Sequence, residues 1–118
     1  MATRKLSAQA NFRLQIKHGV AIGPGKAAML EKIADLGSIS AAGRALGMGY
    51  RTAWLLVDTM NANFKEPLVL STKGGSGGGG AQLTPTGVDV LARYRAMEKR
   101  ALKAIVKDVA YLQALIRK

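Results

Sequence analysis

The chain has no cysteine and a single histidine, His18. Without thiols there is no disulfide scaffold, no thiolate nucleophile and no cysteine-ligated zinc, and one imidazole cannot build a multi-histidine metal centre. Acidic residues are scarce as well, seven Asp and Glu against eighteen Lys and Arg. Asp58 and Glu66 are isolated carboxylates with no base or partner that their spacing supplies, so a surface role is expected for both, and no catalysis and no cofactor. Long apolar runs are missing. The longest obvious one, Ala53 to Val57, is far short of the roughly 20 residues of a membrane span. Met1 to Ser7 is charged but leads into no apolar stretch, which argues against a secretory signal and for a cytoplasmic location.

What the chain does have is enough apolar mass for one modest core: 118 residues, 48% hydrophobic, with a mean hydropathy of +0.07. Its net charge of +11 is not confined to a tail, since residues 1–60 carry +5 and residues 61–118 carry +6. A folded domain this basic on both halves points to nucleic acid or another polyanion.

Periodicity divides the chain into elements. Phe12, Leu14 and Ile16 alternate with Arg13, Gln15 and Lys17, the pattern of a half-buried strand. After Gly23-Pro24-Gly25, the set Met29, Leu30, Ile33, Ala34 and Leu36 predicts a helix from Lys26 that stops at Gly37. Ser38 or Ser40 can cap a short second helix through Leu46. Gly47-Met48-Gly49 breaks it, and helical spacing resumes from Tyr50 to about Asn63 through Ala53, Trp54, Val57 and Met60. Leu68 to Thr72 and Ala81 to Thr84 read as paired strands. The glycine-rich Lys73 to Gly80 stretch is then a hairpin tip, with a flexible linker as the other reading. From Thr86 a single long helix is expected, carrying Val90, Tyr94, Met97, Ala101, Ile105, Val109, Leu112 and Ile116 three or four apart. Such a helix is longer than this small domain can cover, so part of it is expected to meet another chain.

Helix, glycine turn, helix and hairpin is the order of a winged helix-turn-helix domain, whose second helix enters the major groove while the wing touches the flanking backbone. The small residues Ala41, Ala42, Gly43 and Ala45 let the first helix of the pair cross the second closely, Gly47 permits the turn, and Met48 can plug the core. The expected fold class is therefore α+β, mostly α: a winged helix-turn-helix over residues 1–85 with a long dimerisation helix over 86–118, in one structural unit.

The stretch from Ser38 to Trp54, followed by Met60-Asn61, resembles the N-terminal DNA-binding domain of the ModE family of molybdate-responsive regulators. The glycine-rich wing and the phrase Leu83-Thr84-Pro85-Thr86-Gly87 extend the resemblance. The LysR-type regulators share the helix-turn-helix phrase and the Leu-Thr-x-x-Gly entry to the long helix. The resemblance implies binding of double-stranded DNA as a homodimer. Family members usually place Ser before the Tyr that opens the reading helix, where this chain has Gly49, and they continue into molybdate-binding modules. No direct molybdate site is expected in this chain.

Tyr50, Arg51, Thr52, Trp54 and Leu55 occupy the first turns of the reading helix, where side chains reach base edges in this docking geometry. Arg51 can fork onto guanine O6 and N7, with a phosphate contact as the competing role. Thr52 suits a phosphate, a thymine methyl or plain solvent, and Tyr50 suits a phosphate through its hydroxyl. Trp54 fits core packing and DNA contact equally, and Gly49 offers only its backbone. In the wing, Lys73 with Gly74 and Gly75 can approach phosphates, and because Lys73 precedes the glycines a nucleotide-binding loop does not fit. Arg44 and Lys26 are candidate orienting phosphate contacts, with an ordinary solvated cation as the alternative. Tyr94, Met97, Ala101, Ile105, Val109 and Leu112 are assigned to core and dimer contact, and the long helix's cations to a solvated face. A rival reading makes the chain a non-specific binder of polyanions or of an anionic membrane surface, but such a binder has no use for a helix-turn-helix and wing.

Overall fold

The computed structural model describes residues 12–72 and 80–117. Two antiparallel hairpins flank a helical centre: β1 (Leu14–Lys17) pairs with β2 (Val20–Ile22), and β3 (Val69–Thr72) pairs with β4 (Gly80–Leu83). Between them run α1 (Pro24–Leu36), α2 (Ile39–Ala45) and α3 (Tyr50–Asn63), and after them α4 (Pro85–Ala104) and α5 (Val106–Ala114). The architecture is the expected mostly-α winged helix-turn-helix.

Local chemistry sets the boundaries. α1 starts with Pro24 in its first turn, where the missing N–H is no loss, and ends where the Gly37 N–H bonds the Ile33 carbonyl at 2.8 Å. Ser38 caps α2 by accepting from the Ala41 N–H at 3.1 Å. Met29, Leu30 and Ile33 of α1 meet Ile39 and Ala42 of α2, Ala53, Val57 and Met60 of α3, and Leu68 and Val69 at the entry to the wing. These residues are the main core.

The junction between α3, wing and α4 is built from polar side chains on backbone. Asn61 accepts from the Leu68 and Val69 N–H groups at 2.8 and 3.1 Å and donates to the Val69 carbonyl at 3.0 Å. Thr84 caps α4 by accepting from the Gly87 N–H at 2.9 Å, while its hydroxyl donates to the Pro67 carbonyl at 2.6 Å. A Cβ on Gly87 would lie 2.1 Å from the Leu68 carbonyl oxygen, so α4 begins in direct backbone contact with the wing's entry.

Three sequence expectations are corrected. β1 is exposed along its whole length, and the inward residues of its hairpin are Ala21 and Ile22 on β2, a strand the alternation at Phe12–Ile16 does not announce. The long helix is two helices: the Ile105 N–H is shared between the Ala101 and Leu102 carbonyls at 3.3 Å each, tightening the last turn of α4. Ile105 and Val106 are both β-branched and stiff at χ1, which weakens helix at that point. Tyr94 is fully enclosed by its own chain, stacked on Phe12 with centroids 5.4 Å apart, and its hydroxyl donates to the Phe12 carbonyl at 2.7 Å; it is a core residue and not a dimer contact.

Asn61→Ala leaves two backbone N–H groups without their acceptor, and is expected to lower the unfolding free energy by about 2–3 kcal/mol, measured by urea denaturation.

Candidate nucleic-acid interface

The geometry of the α2–α3 pair follows from its small residues. Gly47 takes a φ of +73°, which side chains with a Cβ rarely adopt, and this reverses the chain between the two helices. The Met48 N–H then bonds back to the Gly43 carbonyl at 2.8 Å. A Cβ on Gly43 would stand 2.7 Å from the Ala53 Cβ, so the helices cross at a contact that only glycine allows. Ala53, Val57 and Met60 face this contact and the core.

With those three positions turned inward, helical geometry turns Tyr50, Arg51, Thr52, Leu55, Asp58 and Thr59 outward, and all six are exposed. Tyr50 is 70% exposed, which excludes core packing for its ring. Trp54 lies between the two faces. It packs against the core, its ring centroid is 6.1 Å from that of Tyr50, and its buried Nε1 has no hydrogen-bond partner. Gly49 is the N-cap of α3 in extended backbone and brings no side-chain cap, so the helix's positive end is left uncovered by side chains. Gly49, Tyr50, Arg51, Thr52 and Trp54 are thus gathered at one end of α3. Leu55, 58% exposed and one turn beyond Arg51, belongs to the same face. Its signal in the sequence is register: counting 3.6 residues per turn from Ala53 sets it outward.

Arg44 is exposed in the last turn of α2. The wing is anchored to α1 by the Ala81 N–H on the Gly37 carbonyl at 2.9 Å, and the far end of its strand pair is closed by the Thr72 hydroxyl, which accepts from the Gly80 N–H at 3.1 Å. Lys73, Gly74 and Gly75 lie outside the described residues. Lys26 is engaged elsewhere: its ammonium donates to the Ala21 carbonyl at 2.6 Å, and burial together with the charge of Arg13 holds its pKa below the usual lysine value. His18 is exposed in the turn between β1 and β2.

On α4, Arg95 bonds Glu98 at 2.8 Å and Glu31 of α1, and its guanidinium carbon stands 5.9 Å from the Tyr94 ring centroid. Burial works against its charge, yet the two carboxylates raise its pKa above the ordinary arginine value. Met97, Ala101 and Val109 are half-buried, while Ile105 and Leu112 are exposed. Among the described residues no three His, Asp or Glu side chains group as a metal site, and no helix is long and apolar enough to cross a membrane.

A short capped helix, a glycine turn, a second helix with one outward face and a two-stranded wing define a winged helix-turn-helix protein. Residues 26–88 match the bacterial regulatory helix-turn-helix proteins of the lysR family, and the chain belongs to that family. It is 41% identical over 87 residues to the molybdenum-pterin-binding protein MopB of Rhodobacter capsulatus, covering 74% of this chain and 32% of that protein. It is 41% identical over 97 residues to the molybdenum transport protein ModE of Azotobacter vinelandii, covering 82% and 35%. With the DNA-binding transcriptional dual regulator ModE of Escherichia coli it shares 31% over 99 residues, covering 84% and 38%. The resemblance carried by Ser38 to Trp54 is therefore borne out, and the chain spans about a third of the length of these curated relatives.

Gly43→Ala is expected to wedge α2 from α3 and lower stability by about 1–3 kcal/mol in chemical denaturation, with part of the loss recovered in the double variant that also carries Ala53→Gly.

Proposed function

We propose that this chain is a sequence-specific binder of double-stranded DNA that regulates transcription as a homodimer. The observation that carries the reading is the division of α3: Ala53, Val57 and Met60 lock one side to the core, while Tyr50, Arg51, Thr52 and Leu55 stand exposed beside an uncapped helix start. Arg51 is the base reader, its fork matched to guanine O6 and N7, and Leu55 offers an apolar contact to a thymine methyl. Tyr50 and Thr52 hydrogen-bond phosphate, the free N–H groups behind Gly49 add a backbone phosphate contact, and Trp54 supports Tyr50 from the core side. Arg44 and the wing residues Lys73, Gly74 and Gly75 bind flanking phosphates and set the domain's orientation, without reading sequence.

Residues 86–118 form the dimerisation part, through Met97, Ala101, Ile105, Val109 and Leu112. A two-fold dimer presents two copies of α3 to half-sites roughly 34 Å apart or a multiple of that distance, so the operator is near-palindromic. The names of the relatives, which refer to molybdenum transport and molybdenum-pterin binding, support molybdenum metabolism as the process regulated.

Competition binding on mutated operators tests the assignment. Arg51→Ala is expected to lose about 1–3 kcal/mol of discrimination at one base pair of each half-site and to relax preference there. Lys73→Ala should weaken all sequences alike and reduce the magnitude of the salt slope by about one per chain. Equal losses on every sequence for Arg51→Ala would make it a phosphate contact instead.

A further inference from the structure

Between α4 and the β1–β2 hairpin lies an apolar groove of about 150 Å³, walled by Ile16 and Ile22 of the hairpin, Phe64 at the C-cap of α3, and Val90, Tyr94 and Met97 of α4. The proposed DNA contacts use none of these residues. Tyr94 offers the groove its ring and no hydroxyl, because that hydroxyl is already committed to the Phe12 carbonyl at 2.7 Å. An apolar space of this size holds a group as large as benzene and little more.

Two charged residues line the same groove, Asp89 and Arg93. They are exposed, one turn apart on α4, and they share a face with Val90, Tyr94 and Met97, since the five recur at i, i+1, i+4, i+5 and i+8. The ion pairs among the described residues, Arg95 with Glu31 and with Glu98, use neither. A carboxylate and a guanidinium are thus set side by side, their Cβ atoms about 5–6 Å apart, against apolar walls that leave room for one ring.

We infer that the groove binds a free α-amino acid whose side chain is apolar and no larger than phenyl. The side chain lies among Phe64, Tyr94 and Met97, the Asp89 carboxylate accepts from the ammonium, and the Arg93 fork donates to the ligand's carboxylate. Charge complementarity selects this ligand. A zwitterion carries both charges on one carbon and meets both residues, whereas a simple amine or carboxylate leaves one of them unused and a hydrocarbon leaves both. The site needs neither DNA nor a second copy of the chain, so it stands or falls separately from the function proposed above.

Nuclear magnetic resonance on the full chain, following the methyl signals of Ile22, Val90 and Met97, tests this with phenylalanine, phenethylamine, 3-phenylpropionate and glycine as probes. Phenylalanine at millimolar concentration is expected to shift these methyls, and glycine to leave them in place. Each analogue with one charge should bind about threefold to fivefold more weakly than phenylalanine. Asp89→Asn and Arg93→Gln change exposed side chains and keep the fold, which circular dichroism checks. Asp89→Asn should bring phenylalanine down to the affinity of 3-phenylpropionate, and Arg93→Gln to that of phenethylamine. A wild-type chain whose groove methyls phenylalanine does not shift, or one that binds all three phenyl compounds equally, would overturn the inference.

Discussion

The contact between Gly43 and Ala53 is the constraint on which the rest of the molecule depends. Two helices joined by a four-residue turn can cross this closely only where one of them lacks a Cβ, and the 2.7 Å that a Cβ at Gly43 would leave to that of Ala53 shows how little room there is. Because α2 is held by Ile39 and Ala42 to the core of α1, the crossing fixes α3 relative to the whole body. The outward face of α3 is thereby set by packing, and among the described residues Tyr50, Arg51 and Thr52 make no side-chain hydrogen bond.

A second rigid point serves the rest of the domain. Asn61, at the last turn of α3, holds the entry of the wing through three backbone groups, and Thr84 ties the exit of the wing to Pro67 and to the start of α4. Gly87 closes the join by meeting the Leu68 carbonyl without a side chain. α3, the wing and α4 are therefore referred to one small region around Leu68. Arg95 adds a brace between α4 and α1 through Glu31, and Tyr94 anchors the residues before β1. A rotation of α4 would be felt at the wing and at α1 together, a coupling that the proposed dimer, with two helices at a fixed spacing, would use.

Much of this was legible in the residues themselves. The glycine turn, the small residues of α2 and the apolar stripe of α3 are local signals at helical spacing, and the helices begin and end within a residue or two of where those signals set them. What periodicity could not supply is tertiary. The strand at Leu14 to Lys17 is legible, but its partner β2 is not, because Val20 to Ile22 is only three residues long and Ile22 turns inward against Tyr94, seventy-two residues on. The break at Ile105 carries no glycine or proline, so the heptad-like spacing runs through it unmarked. Tyr94 reads as one more position on an apolar stripe, and only its hydrogen bond to the Phe12 carbonyl distinguishes core from interface. On α3 the outward residues follow from register alone, whereas the intermediate position of Trp54, with an indole N–H that is buried and unpaired, does not.

The central claim is that the exposed face at the start of α3 recognises base sequence. Selection of bound duplexes from a random pool by the full chain, at physiological salt, tests it most directly. The account predicts an enriched near-palindrome with half-sites about 10 base pairs apart, or a multiple of that. Recovery of bound duplexes with no common sequence, at an affinity set by salt alone, would contradict it.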